Sequence, residues 1–341
     1  MTTESPGNVS QLAAPSLTAR QRLALLASVV IFGLATAYAQ ASLMGLEYLE
    51  GTALTFHKSV MSGQSKDPYQ YRVLTEYFVA AVRFMTAQLG IPHPDAIGFV
   101  VVRSLQNILI FMLAAVYYRR LGLNLIATLL SLSILSWAMA NALWDSGLKF
   151  DTYSEIILYL VAGLLLINRK YLWTLILIAI AAANRETSGL IAVMLSGTMI
   201  MDRWPGRPTN RELLIAASAF VIFGIVYFGV RAAYGPRELV TAYGISVGGM
   251  ALFSFNVNRL RTWVQLFNTH SIIPIIALFC MRKWPPILRV YFWAVVPVWA
   301  TVHLFLSILA ESRLVLVPFT LVLLPGAFFG VKLFRNEATS K

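Results

Sequence analysis

Apolar stretches long enough to cross a bilayer recur along nearly the whole chain, and no other feature constrains its fold as tightly. A spanning helix needs about 20 predominantly apolar residues. The candidate spans are residues 23–41, 97–118, 123–141, 153–168, 171–184, 187–201, 212–232, 264–281, 288–308 and 313–333. Most are apolar all round, without a water-facing stripe, which suits helices whose backbone groups are satisfied internally. The pair 171–184 and 187–201 is short and reads as a helical hairpin with a broken tip. Composition agrees: 58% of the 341 residues are apolar and 12% are charged, the latter about half the share of a soluble domain. That composition excludes a soluble enzyme and a DNA-binding domain. The expected fold class is all-α, a polytopic transmembrane helix bundle of about ten spans.

Charge supplies the topology. The net charge is +12, which by itself would admit a nucleic-acid partner. The distribution of the charges argues otherwise. With the N-terminus in the cytoplasm, 15 of the 27 basic residues fall in inner segments, among them Arg119, Arg120, Arg203, Arg207 and Arg211. That is the positive-inside pattern. Most acids fall on or near the outer side, so the basic excess is a topology signal. The organisation that follows is a cytoplasmic tail (1–22), a single transmembrane domain (23–333) with long outer loops at 42–96 and 231–263, and a second cytoplasmic tail (334–341). Leu23–Ala41 reads as a retained first span, because no small-residue cleavage site follows a short apolar core. Cys280 is the single cysteine, so neither an intramolecular disulfide nor a cysteine metal site is available.

Val73–Gly90 is apolar enough to span, yet a span here would invert every later segment. Glu76 and Arg83 share one helical face, and Tyr77, Ala81, Phe84, Phe78 and Met85 line the other. That pattern predicts an interfacial helix in the first outer loop. A re-entrant or true second span is the alternative.

Residues able to carry chemistry gather on the outer side. Glu47 and Glu50, just after the first span, share a face if their segment is helical; either suits a general base or a metal ligand. Next comes Asp67-Pro68-Tyr69-Gln70-Tyr71-Arg72, a turn followed by amphipathic side chains and an arginine suited to gripping phosphate. A third group, Trp144 to Glu155, holds Asp145 and Asp151 beside aromatic residues able to stack on a sugar. The fourth, Arg185-Glu186, lies between two spans too close for a real loop, and ionisable residues at membrane depth are functional candidates. The fifth is Glu311 with Arg313 at the start of the last span. Each group also has a plainer reading: solvated loop, aromatic belt or structural ion pair. His303 reads as a core histidine; His57, His93 and His270 are dispersed without zinc spacing. No Gly-rich phosphate loop is present.

A first span, a long acidic outer loop with an interfacial helix, many further spans and outer-facing arginines together resemble the GT-C superfamily of membrane glycosyltransferases. The pieces PYQYRVL (68–74), NRETSGL (184–190) and ESRLVLVP (311–318) look like motifs of bacterial polytopic proteins of that kind. The resemblance implies a GT-C-like bundle in the bacterial inner membrane, multi-pass, with both termini cytoplasmic. It implies a sugar donor on a polyprenyl phosphate, a glycan or lipid-linked acceptor, surrounding membrane lipids and no nucleic-acid partner. Glu47, Glu50 or Asp67 would be the base, and Arg72, Arg185 and Arg313 the phosphate ligands. Tyr69, Gln70, Tyr71, Trp144, Asp145, Asp151, Glu186 and Glu311 would contact substrate. No resident metal site is read from the residues; a divalent cation, Mg or Mn, is compatible with such an enzyme. Two other functions fit the composition. A polysaccharide polymerase of the Wzy kind would rely on Arg237, Arg259 and Arg261 in the second long loop. A lipid or solute transporter would require no transfer chemistry.

Overall fold

The computed structural model describes residues 17–144, 146–242, 245–246 and 248–334. The fold is all-helical apart from one hairpin of two-residue strands, Thr241–Ala242 and Ile245–Ser246. Among the described residues, five helices are long and apolar enough to cross a membrane, or six if one sharply bent pair counts as a single span. Leu125–Asn141, Tyr171–Ala182 and Ser312–Phe328 are apolar but shorter.

Helix α1 (Ala19–Tyr48) starts at a capping box, in which Thr18 and Gln21 satisfy each other's backbone N–H groups. It does not stop where the first apolar stretch ends. After a break at Gly45, whose φ is 75°, the chain passes through a π-helical turn (Leu49–Ala53) into α2 (Leu54–Met61). The first part of the expected outer loop is therefore helical. Helix α3 (Val73–Gln88) is amphipathic in the expected sense: Glu76 and Val79 face protein, and Tyr77, Phe78, Phe84 and Met85 are exposed. Helix α4 (Pro94–Leu121) begins with proline at its first position and ends at Gly122, a left-handed residue suited to glycine. It packs against α1, α3, α5 (Leu125–Asn141) and α6 (Phe150–Ile167).

Helices α7 (Tyr171–Ala182) and α8 (Leu190–Arg203) form the expected pair with an irregular tip at 183–189. Helix α9 (Asn210–Tyr234) opens with a second capping box, Thr209 with Glu212. The second long loop differs from expectation, since it holds α10 (Gly249–Asn258) and the start of α11 (Leu260–His270). The expected span 264–281 is not one helix: α11 and α12 (Ile273–Phe279) meet at 72°. Ser271 there has a φ of 52°, a conformation that ends a helix. Helix α13 (Pro286–Leu306) leads to α14 (Ser312–Phe328), which begins as a 3-10 turn and widens into a π turn at Phe319–Leu323.

The core lies where α4, α5, α6, α8, α13 and α14 meet. The π turn leaves carbonyls without their usual helical partners, and tyrosines of α4 supply donors. Tyr117 donates to the Leu321 carbonyl and Tyr118 to that of Thr320, both at 2.9 Å. Gly163 permits this approach, because a Cβ there would come within 2.9 Å of the Tyr117 ring. The outer surfaces are apolar too: Leu214, Val221, Ile225 and Phe228 of α9 are all exposed. A continuous apolar exterior of this kind belongs in lipid.

Candidate functional site

The first turn of α6, the α7–α8 tip, the turn before α3 and the start of α14 converge on a group of buried charges. Arg72 grips Glu186 through two nitrogens, one at 3.3 Å, and pairs with Asp151 at 3.0 Å. Arg185 pairs with Glu155 at 2.9 Å and lies 3.7 Å from Asp151. Arg313 pairs with Glu311 at 2.5 Å. Thr152 joins two of these cations: its hydroxyl accepts from Arg185 at 3.1 Å and from Arg313 at 2.6 Å. Glu155 also accepts from the Thr187 hydroxyl. Charges this deep persist only when partnered, since desolvating a lone ion costs more than any single contact returns.

Local structure explains the convergence. Asp151 and Glu155 lie four residues apart, on one face of α6. The α7–α8 tip is stitched in place by Asn184, whose side chain accepts from Thr75 at 2.6 Å and donates to the Asp151 carbonyl at 3.0 Å. Arg185, in extended backbone between the two helices, is thereby turned into the protein. Asp67 is positioned through its backbone. It accepts from Val240 and donates to Glu238, both at 2.9 Å, so the two long loops clasp each other at this residue.

A cavity of about 430 Å³ opens above the cluster. Arg72, Arg185, Glu186, Glu311 and Arg313 form its polar part; Asp67 and Tyr69 line it beside them. Tyr227, Val302, Leu306 and Ile308 supply apolar wall, and His303 and Arg231 complete the lining. His303 is buried, with Nδ1 2.9 Å from the Trp299 carbonyl, as a core histidine would be. Burial raises the Asp67 carboxyl above its ordinary value, although Arg231 opposes it. At Glu186 burial also pushes upward, but Arg72 and Arg185 overcome it and hold the carboxyl at about 2. Lys149 is pushed down to about 8, by burial and then by Arg313. Its ammonium rests over the rings of Phe56 (3.2 Å) and Tyr69 (4.5 Å). No ion pair of Lys149 occurs among the described residues.

Seven of the sequence candidates thus line one cavity: Asp67, Tyr69, Arg72, Arg185, Glu186, Glu311 and Arg313. Asp151 lies behind them as the shared partner of Arg72 and Arg185. The others lie elsewhere. Glu47 is exposed on the last turn of α1, and Glu50 is exposed and pairs with His93 at 2.7 Å. The helical continuation past residue 41 carries both away from the cavity. Gln70 is fully buried and structural, accepting from the Ser65 N–H at 2.8 Å and donating to the Val60 carbonyl at 3.0 Å. Tyr71 is buried and donates to the Gly235 carbonyl at 2.8 Å. Trp144 is exposed, and Asp145 lies outside the described residues. Glu155 and Thr152 lay in the third sequence group without a role of their own, and Arg231 was not singled out by the sequence. The four-residue spacing of Asp151 and Glu155 was a usable signal for the first. Arg231 carried one as well, as a cation ending a long uncharged run.

No three histidine, cysteine or acidic side chains come together as a metal site among the described residues. No family model matches the chain, and comparisons with curated proteins and with solved structures found no match.

Proposed function

We propose that the protein is an integral membrane glycosyltransferase. It moves a sugar from a polyprenyl-phosphate donor to an envelope glycan or lipid acceptor on the outer face of a bacterial inner membrane. One observation carries the reading: arginines from four separate stretches and a partly buried carboxylate, Asp67, meet at one cavity among apolar helices. Glycosyl transfer needs this combination. Asp67 takes the proton of the acceptor hydroxyl as its oxygen attacks the anomeric carbon. The bond from that carbon to the phosphate oxygen breaks, and its electron pair leaves with the phosphate. Arg72, Arg185 and Arg313, each kept in place by its acid, turn a fixed positive field towards the charge that develops there without leaving their carboxylates. Tyr69 offers a ring to the sugar. The raised carboxyl of Asp67 favours the base role over Glu47 or Glu50, which lack access to the cavity.

The bundle would be GT-C-like, with about ten spans: the five long helices, the bent α11–α12 pair, the three shorter apolar helices and α8. Both termini would be cytoplasmic, and α3 would lie in the outer interface with its exposed aromatic residues toward lipid. A divalent cation, Mg or Mn, has no ready ligand set here. Asp151, Glu186 and Glu311 are engaged by arginine, and Asp67 alone is not a site. No step is routed through a metal. Arg237, Arg259 and Arg261, on which the polymerase reading depends, do not line the cavity.

The test is transfer of radiolabel from polyprenyl-phosphate sugars to an envelope lipid extract by purified protein in lipid. Asp67→Asn is expected to cut the rate about 10²–10⁴-fold with folding unchanged. A folded wild-type protein that transfers nothing from any donor would overturn the reading in favour of the polymerase or the transporter.

A further inference from the structure

Four arginines line the cavity, and three of them are already neutralised. Arg72 is held by Glu186 and Asp151, Arg185 by Glu155, and Arg313 by Glu311. An incoming anion that took any of these guanidinium groups would strand a buried carboxylate without its partner. The fourth, Arg231, is in no ion pair among the described residues. Its guanidinium lies 3.8 Å from the ring centre of Tyr227 and 4.5 Å from that of Tyr71. Stacking between two rings fixes the plane of the group while leaving its N–H edge available to a ligand. Tyr71 is itself anchored through its hydroxyl to the Gly235 carbonyl, four residues beyond Arg231.

We infer that Arg231 is the anion-binding residue of the cavity and takes the phosphate head of a membrane-resident amphiphile. The buried arginines form a neutralised floor that orients the bound group without being its first ligand. The inference rests on the transferase reading above and specifies which cation meets the donor. The amphiphile follows from the surroundings. Arg231 sits in the last turn of α9, a helix only 6% buried across its apolar window. Helices α9 and α13 both pack on α8, and the cavity is walled by their final turns, with Tyr227, Val302 and Leu306 beside the charge. A phosphate on an apolar tail would satisfy both surfaces together. A free phosphate would satisfy only the arginine.

The experiment measures binding to the full chain in detergent micelles, without requiring turnover. The probes are geranylgeranyl phosphate, geranylgeraniol and inorganic phosphate. The wild type is expected to bind geranylgeranyl phosphate at least about tenfold more tightly than either of the others. Arg231→Gln should lose that preference, and Arg231→Lys should keep part of it, since lysine retains charge without the planar fork. Arg237→Gln, on an exposed neighbour outside the cavity, should leave binding unchanged. Wild-type affinity in a folded Arg231→Gln overturns the inference and leaves the transferase reading standing. Equal binding of phosphate and alcohol, or inorganic phosphate binding as tightly as the lipid, also overturns it. A wild type that binds none of the probes defeats both. If Arg231→Gln does not fold, Arg231→Lys decides: undiminished phosphate preference overturns the planar-fork role.

Discussion

Helices α6 and α9 are both long and apolar, yet 61% of the apolar window of α6 is buried and only 6% of that of α9. The difference lies in a few side chains. Helix α6 carries Asp151, Thr152 and Glu155 on its first turns, and each needs a partner that lipid cannot provide. It is therefore surrounded by α3, α4, α7, α8 and α14, and the turn before α3, the α7–α8 tip and the start of α14 bring Arg72, Arg185 and Arg313 within reach. Between Glu212 and Arg231, α9 has no charge at all, and Leu213, Leu214, Phe220, Ile225 and Phe228 are exposed. In a bilayer apolar surface costs nothing when exposed. Burial is assigned to the helices whose polar groups demand it.

Four substitutions or conditions would break or sharpen that contrast. The largest effect should follow Asp151→Ala, which leaves Arg72 and Arg185 short of a shared carboxylate. The expected loss is about 3–5 kcal/mol of stability, read from unfolding in micelles. A variant as stable as wild type would mean that α6 tolerates its neighbours' charges without pairing. Next is Ile225→Lys on α9, at a residue 67% exposed. If that face meets lipid, a lysine near mid-span costs about 2.5–3.5 kcal/mol of insertion free energy. Membrane-insertion efficiency measures it, and undiminished insertion would show that this face meets water.

Smaller is an acid dependence at the edge of the α6 cluster. Burial pushes the Glu186 carboxyl up, but Arg72 and Arg185 outweigh it and hold it down at about 2, against its ordinary 4.5. Its ionised form therefore stabilises the fold above pH 4.5, and that contribution disappears as the pH falls from 4.5 towards 2. Wild-type unfolding midpoints should drop across this window, and Glu186→Gln should flatten the drop. A slope unaltered in the variant would place the acid sensitivity in another group. The smallest effect belongs to Phe228→Leu on the outer face of α9, expected within about 0.5 kcal/mol of wild type. A larger loss by the same unfolding measurement would reveal a protein contact on that face.

Much of the site was legible because the residues were out of place. Arg185-Glu186 between two apolar stretches and Arg313 opening another are expensive unless they meet partners, and they do meet. Glu47 and Glu50 lie apart from the cavity for the opposite reason. Following the first apolar stretch says where they lie in the chain, but not that the helix runs on through Gly45 and a π turn and leaves both exposed. Gln70 and Tyr71 part from their neighbours: the turn that presents Tyr69 and Arg72 to the cavity directs these two into hydrogen bonds with backbone carbonyls.

Sequence by itself determined that this chain is a bundle of apolar helices with charges concentrated at a few interruptions, because hydropathy and charge are local properties. The break between α11 and α12 was beyond its reach. So was the assignment of Arg72, Arg185 and Arg313 to their acids, and the placing of Arg231 in no ion pair among the described residues. Those outcomes depend on which helix ends come within about 3 Å of each other, the range at which charged hydrogen bonds form. Only the packing of the whole bundle sets such distances.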